Sequence, residues 1–203
     1  PGTIKSVSVT KDTQGPNIIS FNITEEITNS TTVNVTGKVD MTSADIQKVT
    51  LTGDIQNSPL DITTINPDGT FSKQVTLTTG DATKTITATA YDSLNNAGTA
   101  LSDTVKLDTH GPAVLTIQAN PTRTNSTTTI SGTVETPSDL KEIKLTGPIT
   151  GAPVIIPKEQ ITSGAFTKQI TLTSSGDITA TAYDSLNNAG TPLITSVILE
   201  EIE

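Results

Sequence analysis

The decapeptide AYDSLNNAGT stands at Ala90–Thr99 and again, letter for letter, at Ala182–Thr191. Within it Asp92, Asn95 and Asn96, and then Asp184, Asn187 and Asn188, offer carboxylate and amide oxygens at the same spacing. Two further aspartates, Asp12 and Asp108, open the matching segments Asp-Thr-Gln-Gly-Pro and Asp-Thr-His-Gly-Pro. Hard oxygen donors of this kind suit Ca²⁺, which takes about six to eight oxygens in flexible geometry. Carboxylates drawn together repel unless they are protonated or bridged by a cation. Asp, Asn and Gly also populate turns because they tolerate unusual backbone angles and cap their own chain. The same residues therefore read either as cation ligands or as turn formers.

Other reactive side chains are few. His110 has Gln14 as its counterpart in the matching segment, so a catalytic base there would exist in one copy only. With no cysteine, no second histidine and no Gly-x-Ser-x-Gly, nucleophilic catalysis has no visible base. Gly-rich phosphate loops are absent as well. Paired acids for glycoside hydrolysis remain open on sequence, but two tyrosines and no tryptophan leave few aromatic platforms for a sugar. The chain is expected not to be an enzyme. Tyr91 and Tyr183 fall on the face opposite the alternating alanines and are expected to pack against the linker. Lys38, Lys73 and Lys168 raise a Lys–Asn or Lys–Asp cross-link, against the plainer reading of Lys73 and Lys168 as solvated residues of polar parity. Asn22, Asn29, Asn34 and Asn125 lie in Asn-x-Ser/Thr sequons, which matter only if the host glycosylates them.

Composition narrows the classes. A net charge of -9 lacks the clustered Lys and Arg that nucleic acid or an anionic bilayer requires. No apolar run approaches the ~20 residues of a membrane-spanning helix. Hydrophobic residues make up 33% and aromatics 2%, which suits two small cores better than one large one. Threonine fills about a fifth of the chain, and β-branched residues favour a pleated, half-exposed surface. An acidic, cysteine-free, Thr-rich chain fits a bacterial or archaeal exterior.

The elements that must position these residues come as two copies. "TNSTT" at Thr28–Thr32 returns at Thr124–Thr128, and "FSKQVTLT" from Phe71 returns as "FTKQITLT" from Phe166. Apolar residues alternate with polar ones through each copy: Val33, Val35 and Val39; Val49 and Leu51; Phe71, Val75 and Leu77; Ile86, Ala88 and Ala90; Leu101, Val105 and Leu107. Period two marks half-buried strands. Turn signals such as Asn66-Pro67-Asp68-Gly69 separate the runs. The copies differ most at Asp54–Pro67 against Pro148–Gln160, as an edge strand would allow. Gly2–Lys11 aligns with the last strand of copy one, which suggests the last strand of a preceding repeat, or else an added first strand.

Asp-Thr-x-Gly-Pro at the start of a unit and TATAYDSLNNAG near its end resemble the bacterial immunoglobulin-like domains strung together in adhesins and surface-layer proteins. The expected architecture is all-β, two tandem sandwiches of about seven strands each, over 12–107 and 108–203. In such a sandwich the segment before the first strand, the second-to-third loop and the last loop reach one pole. That would gather Asp12, Asp40, Asp45 and Asp92 in one copy, and Asp108, Glu135, Asp139 and Asp184 in the other. The resemblance implies calcium at domain joints, and a structural spacer at the bacterial cell surface, in a surface-layer protein or an adhesin stalk. Its partners would be neighbouring domains of the same chain and a cell-wall or host surface ligand, with the isolated fragment a monomer. A module that recognises a host protein or glycan is the alternative.

Overall fold

Alternation of apolar and polar residues does what it predicts. In the computed structural model, residues 11–42 and 45–200 are described, and the chain divides into two compact units, Pro1–Asp108 and Thr109–Glu203. The expected extra strand at Gly2–Lys11 falls on residues 1–10 and so lies outside the described residues, apart from Lys11.

The first unit runs β1 (Ile18–Ile23), β2 (Ile27–Thr28), β3 (Thr32–Val39), β4 (Lys48–Gly53), β5 (Leu60–Ile62), β6 (Thr70–Thr76), β7 (Ala82–Tyr91) and β8 (Leu101–Leu107). A three-stranded sheet has the order β1-β3-β6 and a five-stranded sheet the order β2-β8-β7-β4-β5. The second unit repeats this with β9 (Val114–Asn120), β10 (Arg123–Thr124), β11 (Thr127–Val134), β12 (Leu140–Thr146), β13 (Val154–Pro157), β14 (Ala165–Thr171), β15 (Gly176–Asp184) and β16 (Leu193–Leu199). Its sheets are β14-β11-β9 and β10-β16-β15-β12-β13. Each unit is an immunoglobulin-like sandwich. The strand beyond the seven expected comes from a break in the first: β1 pairs antiparallel with β3, and the chain then crosses to the other sheet, where β2 pairs parallel with β8. Two residues are too few to show a period, so this crossing leaves no mark in the sequence.

The inward-parity residues form two separate cores. Val35, Val39, Val49, Leu51 and Ile86 are fully buried in one, and Ile130, Ile143, Leu145 and Ile178 in the other. Full burial of a side chain of this size contributes roughly 1.5–3 kcal/mol. Ala88 and Ala90 are equally buried. Leu101 departs from the pattern at 37% exposed, because it is the first residue of β8, at the end of the ladder.

Two inward positions carry lysine. Lys73 pairs with Val35 and Lys168 with Ile130. Directly paired residues share a face, so both lysines have core parity, and the expected polar parity is corrected. Lys73 is nonetheless exposed, because β6 is the edge strand of its sheet and the long side chain reaches out past the flank. Lys84, which the sequence reading passed over, is 6% exposed. Its Nζ donates to Thr78 Oγ1 (3.2 Å) and the Thr79 carbonyl (3.1 Å). The divergent segments 54–67 and 148–160 contain β5 and β13, which are sheet edges as expected.

Candidate functional site

At the end of β7 the chain must reverse, and Asp92 is the residue that turns it. The carboxylate is 2% exposed. Oδ1 accepts the N–H groups of Leu94 (2.9 Å) and Asn96 (2.7 Å), and Oδ2 accepts Nδ2 of Asn96 (2.8 Å). Asn95 makes the tight reversal in the left-handed region, at φ 62°, a conformation that Asn tolerates better than most residues. Burial pushes the Asp92 carboxyl up, but the N–H donors of Asn96 and Leu94 outweigh it and hold the group below its ordinary value.

The second unit builds the same turn from the same letters. Asp184, 1% exposed, accepts the Asn188 N–H at 2.8 Å through Oδ1 and Asn188 Nδ2 at 2.8 Å through Oδ2. Asn187 takes φ 65°, and its Oδ1 accepts Lys141 Nζ at 2.6 Å.

Three distant segments meet at this pole in the first unit. Asn96 Nδ2 donates to the Asp12 carbonyl at 3.3 Å. Asp45 accepts the Ser93 hydroxyl through Oδ2, and the Asp40 N–H donates to the Asn17 carbonyl at 2.8 Å. Asp12 and Asp40 spend a carboxylate oxygen on turns of their own, with Gln14 (3.2 Å) and Thr42 (3.0 Å) respectively. The Thr42 bonds hold the Asp40 carboxyl below its ordinary value. In the second unit Glu135 Oε2 accepts the Ala113 N–H at 2.9 Å, and the Asp139 carbonyl accepts the Ser185 N–H at 2.9 Å. Asp108 is the last residue of the first unit, where its carboxylate accepts Lys106 Nζ at 3.0 Å. Among the described residues, Asp12, Asp40, Asp45 and Asp92 do not bring three carboxylates together, and Glu135 joins no such group either.

Glycine explains the rest of the repeated letters. A Cβ on Gly98 would stand 1.9 Å from the Pro16 carbonyl oxygen, and one on Gly15 would stand 2.0 Å from that of Asn96. In the second unit a Cβ on Gly190 would meet the Pro112 oxygen at 1.8 Å, and one on Gly111 the Asn188 oxygen at 2.1 Å. None of these glycines has a positive φ, so they are needed for space and not for conformation. Two backbones lie against each other here. The Ile18 N–H donates to the Thr99 carbonyl (3.0 Å), and Thr99 N–H to Asn17 Oδ1 (2.8 Å). Val114 N–H to the Thr191 carbonyl (3.0 Å) is the equivalent bond in the second unit. The segment that leads into each sandwich is thereby fastened to the last loop. Sequence reasoning took Gly98 for a turn signal. The clue it passed over was that glycine recurs on both sides of the contact, in Gly-Pro and in Asn-Ala-Gly.

The remaining sequence candidates have quieter surroundings. Tyr91 and Tyr183 lie half-buried beneath lysines, Lys48 Nζ being 5.6 Å and Lys144 Nζ 4.3 Å from the ring centres. His110 is exposed, with Nδ1 3.0 Å from Thr109 Oγ1. All four sequon asparagines are exposed. No helix among the described residues is long and apolar enough to cross a membrane.

No family model matches the sequence, and no curated protein matches it. Solved structures do resemble the fold. The fibronectin(III)-like modules of Clostridium thermocellum CbhA are 15% identical, with 89% of this chain and 94% of that chain covered at a TM-score of 0.41. The D00-D0 domain of Intimin is 17% identical over 90% and 99% of the two chains, at 0.38. The FN1-FN3 domains of chicken CNTN1 are 11% identical over 95% and 71%, at 0.42. At such identities and TM-scores these likenesses carry no conclusion about what this chain does.

Proposed function

We propose that the chain is a non-catalytic spacer segment of an extracellular bacterial surface protein, of the surface-layer or adhesin-stalk kind. The observation that supports this best is the duplicated fastening of the leading segment to the last loop, by the Asp92 and Asp184 turns and the facing glycines. A spacer transmits position through its ends, and these contacts hold one end of each sandwich. Antibodies raised against the segment should label intact cells of the source organism. Labelling that appears only after lysis would contradict the reading.

Calcium belongs to the same proposal. Asp184, Asn187 and Asn188, with Asp139 on the loop whose carbonyl accepts the Ser185 N–H, supply carboxylate and amide oxygens at the second unit's pole, a donor set that suits Ca²⁺. Asp12, Asp92, Asn95 and Asn96 would supply the equivalent site in the first unit, where Asp92, like Asp184, also accepts N–H donors of its own turn. Thermal melting with calcium and then with chelator tests it: the midpoint is expected to rise with calcium and fall back on chelation. An unchanged midpoint removes calcium from the proposal and leaves the spacer reading to the cell-labelling result.

A further inference from the structure

The outer face of each three-stranded sheet has a composition unlike the rest of the molecule. In the second unit the register aligns Thr116 with Thr133 and Ala165, then Gln118 with Ser131 and Thr167. Further along, Thr129 lies between Asn120 and Gln169. Every one of these outward positions is uncharged. The first unit aligns Ser20 with Lys38 and Thr70, and Asn22 with Thr36 and Ser72. Lys38 is the single charge there. The outer face of the five-stranded sheet, by contrast, carries the ion pair of Lys48 with Asp61 in one unit and that of Lys144 with Glu142 in the other. In a chain of net charge -9, these faces stand out by carrying no carboxylate among the aligned positions.

Both faces are also concave, at the same place. A groove of about 410 Å³ runs over Gly37 in the first unit, floored by Ser20, Asn22, Thr36 and Ser72. One of about 400 Å³ runs over Gly132 in the second, floored by Thr116, Gln118, Ser131 and Thr133. Gly37 and Gly132 have inward parity: a Cβ on Gly37 would stand 2.3 Å from Phe71, and one on Gly132 2.0 Å from the Thr116 carbonyl oxygen and 2.7 Å from Phe166. On the outer side the grooves follow from the short side chains that line them. Volumes of this size fall within the range of small-ligand sites, roughly 300–1,000 Å³.

Hydroxyls and primary amides both donate and accept hydrogen bonds. Here they form a lattice about 4.8 Å across the strands and roughly 6.6 Å along them. Some already bond one another, as Thr116 does with Thr133 (2.8 Å) and Gln118 with Ser131 (3.2 Å), and each keeps further capacity. A partner for such a surface must bring hydroxyls of its own at short intervals and little charge, since a desolvated charge would find no counter-ion in the second groove and only Lys38 in the first.

We propose that these two grooves dock a neutral polysaccharide, held by hydrogen bonds and without ion pairs. This goes beyond the spacer reading and does not depend on calcium. The test is depletion of the intact two-unit chain from solution by insoluble cellulose and by chitin, with anionic alginate gel as the charged comparison. Retention is expected on at least one neutral polymer, to exceed that on alginate, and to persist in 1 M salt, which screens charges to about 3 Å. Thr36→Lys with Ser131→Lys stands a long charged side chain on each floor and should cut retention at least tenfold. Thr89→Lys with Thr181→Lys, on the outer face of the five-stranded sheets, should leave it unchanged. Circular dichroism melting confirms that both doubles fold. If the groove double fails to fold, Thr36→Asn with Ser131→Asn takes its place, with a smaller but measurable loss expected. Absent retention on both neutral polymers, retention abolished by salt, or equal retention by the groove variants and wild type would each overturn the proposal. So would a dimer in solution that the groove substitutions turn into monomer, since the faces would then belong to a second copy.

Discussion

The ten repeated residues divide by task. Asp92 and Asp184 are buried carboxylates that hold a turn, Asn95 and Asn187 take the strained backbone, and Gly98 and Gly190 leave room for another chain. Any substitution at these positions breaks a different contact, which is why the letters recur together. Gly98→Ala forces a Cβ against a backbone carbonyl that cannot rotate away, and a destabilisation of about 1–3 kcal/mol is expected in denaturant melts. Asp92→Asn keeps the shape of the side chain and removes its charge. The Asp92 carboxyl is held below its ordinary value when folded, so its contribution is complete above the ordinary carboxylate range and is lost as the pH falls through the folded value. The wild type should therefore lose more stability on acidification through and below the carboxylate range than Asp92→Asn does, as read from the midpoint at successive pH values. Parallel acid profiles for the two proteins would show that the carboxylate charge does not support the turn.

The strands were legible wherever their alternation ran for several residues. Val33, Val35 and Val39 announced β3, and Ile86, Ala88 and Ala90 announced β7, and all are buried. The sequence was silent where pairing, and not pattern, decides. Lys73 sits at inward parity on an edge strand, and a lysine there was read as polar parity because its charge suggested solvent. The break between β1 and β2 depends on which sheet each piece meets. The bulges that leave Ile19 54% and Leu115 55% exposed depend on register with the neighbouring strand. The acid-rich pole was legible as a gathering of segments, since topology alone brings those loops together. How each carboxylate is used was not, because hydrogen-bond partners are fixed only by the folded backbone. Burial separates two further expectations at this scale. Leu51→Ala should cost about 2–5 kcal/mol, since it leaves a cavity in a fully buried layer. Ile19→Ala at the exposed bulge should stay within about 0.5 kcal/mol. Urea titration of both variants checks the contrast, and similar costs would mean that the bulge residue is covered in solution.

At the scale of the whole chain, two units with separate cores repeat one device: a leading segment laid into the crevice beside the last loop. The duplicated fastening holds one end of each unit without a disulfide, in a chain that has no cysteine. If calcium acts at the second pole, saturation a hundredfold above its dissociation constant would add about 2.7 kcal/mol to the apparent stability. The fastening itself is more basic than the ion, and amide hydrogen exchange reads it directly. The N–H groups of Ile18 and Val114, bonded to the carbonyls of Thr99 and Thr191, should exchange as slowly as those of the central strands β3 and β11. In Gly98→Ala the Ile18 amide should exchange faster while Val114 stays protected. Rapid exchange at both amides in the wild type would mean that the leading segments are loose, and the account of the repeated residues would fail.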